Sequence, residues 1–165
     1  MTDGVIVELA PVEAMHLRDL IDELLALLGT DGAVDDAALD RLAPNPYPDD
    51  DEAAAEYRRT TRGDLMDRRM TDAHDAHDDL DEFIDELEPA HRAALTPLPL
   101  RIPAEHIDAW MRTLTAMRLV VASRLGITVS DDHDFTDPRF HVYDWLGYRL
   151  DELIRLADER DAMAS

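Results

Sequence analysis

Apolar residues recur at two spacings along the chain, and the change of spacing marks its elements. Val5, Val7 and Leu9 alternate, which reads as a short strand. Pro11 suits the first turn of a helix whose apolar face is Val12, Met15, Leu20, Ile21, Leu24, Leu25 and Leu28. Gly29, Thr30 and Asp31 end it. A short helix is predicted from Asp36 to Leu42. The run Ala43-Pro44-Asn45-Pro46-Tyr47-Pro48 cannot continue it, because each proline disfavours helix in the residue before it. That run is a rigid connector, too short to be a domain linker.

Asp49, Asp50 and Asp51 then open a long helix, predicted to reach Glu88 with a kink at Gly63. Its second half carries Met66, Met70, Ala73, His77, Leu80, Ile84 and Leu87 in steps of four and three, the seam of packed helices. Asp72, Asp75, Asp78, Asp79, Asp81, Glu82, Asp85 and Glu86 are assigned to its other faces. Pro89 ends it. Leu98, Leu100 and Ile102 alternate as a second strand, placed to pair with the first, and Pro103 starts another helix. That helix, Ala104 to Leu125, carries Ile107, Trp110, Met111, Leu114, Met117, Leu119, Val120, Val121 and Leu125. It is apolar nearly all round toward its end, so it is expected to be central, with Gly126 as its C-terminal cap. A polar loop runs from Ser130 to Pro138. The last helix is predicted from Arg139 to Asp161, with Phe140, Trp145, Leu146, Leu150, Leu153, Ile154 and Leu156 inward and Ala164 and Ser165 frayed. The fold class is therefore mainly all-α, an irregular bundle of four long helices and one short one, with at most a two-stranded ribbon. The length fits a single domain over 1–165.

Composition narrows the function classes. Apolar residues make up 45% of the chain, enough for a core. No run approaches the roughly 18 apolar residues that span a bilayer, and no basic-then-apolar leader opens the sequence, so a cytoplasmic location is expected. Cysteine is absent, and all 16 basic residues are arginine. Disulfides, thiolate metal sites, cysteine nucleophiles and lysine Schiff bases are excluded. The net charge of −22 opposes binding to phosphate backbones and to anionic membranes. No direct DNA binding is expected; basic partners and high solubility are favoured.

Candidate chemistry is sparse. His74-Asp75-Ala76-His77-Asp78 offers two imidazoles near many carboxylates, but His77 lies on the apolar seam and a metal site needs ligands from other segments. The pairs Glu13/His16 and Glu88/His91 have the spacing used in di-iron bundles, yet the first sits in a first helical turn and Pro89 interrupts the second. Asp131-Asp132-His133-Asp134 lacks the glycine and glutamate of a calcium loop, since Thr136 and Val142 stand at those places. No catalytic residue, metal site or cofactor is assigned, and the chain is expected not to be an enzyme. Arg58, Arg59, Arg62, Arg68 and Arg69 form the one basic cluster. It reads either as ion pairing along the helix, for example Asp64 with Arg68, or as a docking patch for an acidic partner. Arg118, Arg124 and Arg149 are expected to serve structure, because a buried guanidinium has to be paired.

Four stretches, in order, resemble the actinobacterial oxidative-stress regulator family, AosR. They are Val7-Glu8-Leu9 with Glu13 and Leu20 to Leu28; Tyr47-Pro48-Asp49-Asp50 with Ala53-Ala54-Ala55-Glu56-Tyr57-Arg58-Arg59 and Asp64-Leu65; Trp110, Leu114 and Arg118-Leu119-Val120 closing in Arg124-Leu125-Gly126-Ile127; and Tyr143-Asp144-Trp145-Leu146-Gly147. Trp110, Arg118, Arg124, Gly126, Trp145 and Gly147 are its structural signature here. The resemblance implies a transcription regulator that works with a sigma factor at RNA polymerase. Redox sensing in that family looks cysteine-based, and this chain has no thiol, so a constitutive binder is expected. The alternative is an acidic adaptor or chaperone-like protein linked to proteolysis, or a nucleic-acid mimic. Exposed apolar residues on a long helix would favour a homodimer.

Overall fold

A computed structural model describes residues 4–30, 36–127 and 132–165. The helix stop expected at Asp31, and Ser130 and Asp131 of the expected polar loop, lie outside them. Among the described residues the chain is mainly all-α: five helices, one of them in two parts, and one antiparallel two-stranded ribbon.

The ribbon pairs β1 (Gly4–Leu9) with β2 (Leu98–Pro103). Its register sets Val5 against Ile102, Val7 against Leu100 and Leu9 against Leu98, so the two alternating apolar triplets lie opposite each other. Pro99 and Pro103 face Glu8 and Gly4, the positions whose backbone groups point away from the partner strand. Proline there removes no ladder bond and strips donors from the outer edge of β2.

Helix α1 (Pro11–Leu28) buries Pro11, Ala14, Leu17, Ile21, Leu24 and Leu28. Val12, expected inward, is exposed. Pro11 itself faces the core, and a neighbouring residue lies about 100° round the helix from it. Helix α2 (Ala37–Leu42) starts on the Asp36 carboxylate, which accepts from the Ala38 amide at 2.9 Å. After the proline connector, the Asp50 carboxylate accepts from the Ala53 amide at 3.0 Å and opens α3 (Asp51–Tyr57). A π-helical turn, Arg58–Arg62, joins α3 to α4 (Gly63–Asp85). The expected irregularity thus lies in the five residues before Gly63, and the helix closes at Asp85, short of Glu88. Its buried stripe is Ala73, Ala76, Asp79, Leu80, Phe83 and Ile84, while Met66, Met70, His77 and Leu87 are only half-buried. Asp79, assigned from sequence to a solvated face, is inside.

Helix α5 (Ile107–Leu125) follows a 3-10 turn at Ala104–His106, so its start falls after the expected Ala104. It touches α1, α2, α4 and α6 and is the central helix. Ile107, Trp110, Leu114 and Met117 are buried, but Leu119, Val120, Val121 and Leu125 are half-buried, not enclosed. Some of that apolar surface lines a cleft of about 140 Å³ with Leu20, Leu24 and Leu27 of α1. Gly126 adopts φ 75°, the left-handed conformation of a helix cap, and the Ile127 amide donates to the Ala122 carbonyl at 2.9 Å. A 3-10 turn, Pro138–Phe140, leads into α6 (His141–Ala164), which outruns the expected end at Asp161. Tyr143, Leu146, Gly147, Leu153 and Ala157 are its inward stripe; Ile154, expected inside, is exposed, and Phe140 is half-buried. Among the described residues no helix is long and apolar enough to cross a membrane.

Candidate protein-interaction surface

Three polar assemblies hold the helices and fix the surfaces that remain. The first joins α4 to α5. Asp79, 8% exposed, accepts from the Trp110 indole N–H at 2.8 Å, and His106 Nδ1 lies 3.0 Å from both of its carboxylate oxygens. A buried indole N–H needs an acceptor, and α4 supplies it from within its apolar stripe. Burial of the His106 ring opposes protonation, but the hydrogen bond and charge of Asp79, with Asp75 and Glu105, outweigh it and raise its pKa above 6.5.

The second assembly joins α6 to the β1–α1 corner. Glu13 reaches back to the Ala10 amide at 3.0 Å, accepts from the Trp145 indole at 2.8 Å and takes Arg149 on both oxygens at 2.7 and 2.8 Å. Arg149 also donates to Glu152 at 2.7 Å and to the Glu8 carbonyl at 3.1 Å, and its side chain is 11% exposed. Burial works against the Glu13 carboxylate, yet these donors and the Arg149 charge hold its pKa below 4.5.

The third assembly joins α5 to α6. The Arg118 guanidinium lies over the Tyr143 ring, 4.2 Å from its centroid, and against Gly147. Nearby, His133 meets Asp144 at 2.7 Å and stacks on Phe140 at 4.5 Å. Arg124 stands on the surface and pairs with Asp36 through two 2.9 Å hydrogen bonds, tying the end of α5 to the start of α2. The resemblance residues Trp110, Arg118, Arg124, Gly126, Trp145 and Gly147 therefore all sit in helix-to-helix contacts or at a helix cap.

The histidines expected to attract attention are dispersed. His74 is exposed, whereas His77 bridges Asp22 of α1 at 2.8 Å and Asp81 at 3.3 Å. His16 packs edge-on against Trp145, and its helical neighbour Glu13 is engaged by Arg149. Among the described residues no group of three His, Asp or Glu side chains is placed to hold a metal ion.

The five arginines of the basic cluster divide. Arg59 pairs with Glu56, and Arg62 reaches Asp40 of α2 at 3.4 Å. Arg69 is half-buried and donates through Nη2 to the Leu42 carbonyl at 2.8 Å, anchoring α2 to α4. Burial pushes its pKa below the usual value, with Asp72 and Tyr57 pulling the other way. Arg58 and Arg68 are exposed and form no ion pair among the described residues; the Asp64–Arg68 pair does not form. Arg68 and Arg69 rim a groove of about 640 Å³ between α4 and α5, whose floor includes Leu65 and Met111.

Asp79 and His106 are residues that sequence spacing does not single out, and it marks Glu13 only as a neighbour of His16, not as the acceptor for Trp145 and Arg149. The available signal was the tryptophans: two indoles on helices predicted to pack need two acceptors, and an acid on each facing helix supplies one.

The chain belongs to a family described only as a domain of unknown function, DUF2017, whose model matches residues 1–157. No curated protein and no solved structure matches it.

Proposed function

We propose that this member of the DUF2017 family is a non-enzymatic transcription regulator that works by direct contact with a sigma factor or RNA polymerase, in line with its resemblance to the AosR oxidative-stress regulators. The observation that carries the reading is the face around the α4–α5 groove. It holds exposed Arg68, which has no ion pair among the described residues, beside the half-buried Leu65 and Met111, on a chain whose net charge is −22. Basic side chains beside apolar surface suit a protein contact, in which desolvated apolar area supplies affinity and charge sets partner and orientation. The acidic remainder of the chain keeps it off nucleic acid. A binding role is further supported by how the perturbed titratable groups are used: Glu13 and His106 direct their polar atoms to neighbouring helices.

The test uses purified full-length protein with RNA polymerase core enzyme, with sigma factors, and with the holoenzyme, each pair run by size-exclusion chromatography. Comigration with one of them, weakened by Arg58→Glu/Arg68→Glu, is the expected result. Absence of comigration with all three overturns the reading.

A further inference from the structure

We propose that the α4–α5 groove takes an acidic amphipathic helix of a protein partner, with its apolar side chains on the groove floor and its carboxylates on the arginine rim. The proposal deepens the reading of this face given above and rests on it.

Charge is the first argument. The groove is lined by three arginines, Arg68, Arg69 and Arg112, and one carboxylate, Asp72. Asp72 is already held by Arg112 through hydrogen bonds of 2.8 and 3.1 Å, so one carboxylate stands against three guanidinium groups. Arg68 has no ionic partner among the described residues, and the Nε of Arg69 is buried without a hydrogen-bond partner there. That nitrogen is closed off from solvent, so the exposed Arg68 guanidinium is the donor that an incoming carboxylate meets. A site with these lining groups, on a chain of −22, is a local reversal of sign that selects an anion.

Shape is the second. Leu65 and Met111 place apolar surface between the arginines, and exposed Thr115 stands at the far lip. A small inorganic anion would leave that floor wet. The α4 wall runs from Leu65 to Asp72, about 10 Å or about two turns, which matches the apolar stripe of a short helix laid in a groove. Strand addition at the outer edge of β2 is disfavoured, since Pro99 and Pro103 blunt it.

The probe is a fluorescein-labelled sixteen-residue peptide (about four turns) with leucine and phenylalanine at helical i, i+3, i+4 and i+7 positions and glutamate flanking them. Its control carries lysine at each glutamate. Fluorescence anisotropy is measured with the full chain, with Arg68→Glu and with Thr115→Glu; both substituted positions are exposed, and melting curves verify that the fold is kept. The expected result is binding of the acidic peptide alone, weakened about tenfold or more by either substitution and weakened by salt. Equal binding of both peptides, or binding untouched by both substitutions, overturns the proposal. Polymerase or sigma comigration without acidic-peptide binding would remove this docking chemistry and leave the functional reading standing. Peptide binding without comigration would do the reverse.

Discussion

Residue 147 is a glycine because Arg118 fills the place of its side chain: a Cβ there would fall 3.0 Å from the Arg118 Nε and 3.1 Å from its central carbon. The guanidinium has little freedom to retreat, since its other face lies over Tyr143. Gly147→Ala is therefore expected to destabilise the protein by about 1 kcal/mol through overpacking, although alanine favours the helix. In an Arg118→Ala background the clash is gone, and the same substitution should stabilise by roughly 0.5–1 kcal/mol. Urea denaturation of the four proteins measures the reversal of sign. The same sign in both backgrounds would remove Arg118 as the reason for the glycine.

The clamp between α4 and α5 predicts a pH dependence. The raised pKa of His106 means that the folded state binds its proton more tightly than the unfolded chain does. Its contribution is fully present below pH 6.5, the ordinary value, and is lost as pH rises through the folded-state value. Stability should fall over that alkaline step, and His106→Gln should flatten it. Asp79→Ala should cost about 1–3 kcal/mol, because the Trp110 indole N–H is left buried without an acceptor. Asp79→Asn keeps an acceptor and should cost less while also flattening the step. A step that persists in both His106→Gln and Asp79→Asn would assign the titration elsewhere.

Glu13 gives the opposite limb. Its pKa is held below 4.5, so its contribution is present above that value and is lost as pH falls through the lower, folded-state value. Glu13→Gln should lose most of that acid sensitivity. Arg149→Met, which leaves Glu13 with its neutral donors only, should cost roughly 1.5–3 kcal/mol at neutral pH. Acid titrations followed by circular dichroism check both. An acid limb unchanged by Glu13→Gln would show that other carboxylates govern it.

Period and punctuation made most of the fold readable. The two alternating triplets, Pro11, the carboxylates at Asp36 and Asp50, and Gly126 each acted through local rules, and each lies at an element it was expected to begin, pair or end. What was not legible came from tertiary context. Asp79 was placed in solvent because an isolated carboxylate is costly to bury; His106 and Trp110, 27 and 31 residues away in sequence, remove that cost. The end of α5 is apolar nearly all round, which predicts the central helix that it is. In the fold part of it lines an open cleft with α1. In the arginine cluster, residue type is readable but division of labour is not: the position of the Leu42 carbonyl makes Arg69 an anchor, while Arg68 is exposed and has no ion pair among the described residues.

The final prediction concerns oxidation. Without cysteine, methionine is the remaining sulfur, and exposure should set the order of reaction. Met163 is 83% exposed near the end of α6, far along the chain from the α4–α5 groove. Met66, Met70 and Met111 are half-buried and Met117 is buried. Mild peroxide should therefore convert Met163 first, with no change in affinity for the acidic peptide or for the partner. Further treatment reaches Met111 on the groove floor, where a sulfoxide oxygen replaces apolar contact surface with a polar group. Affinity should then fall in step with Met111 conversion, recover with methionine sulfoxide reductase, and be insensitive to peroxide in Met111→Leu. Peptide mapping by mass spectrometry run beside anisotropy resolves the order. Loss of affinity that tracks Met163 would overturn the constitutive reading and put a sensor at the end of α6, because that residue reacts at the lowest dose and does not line the groove.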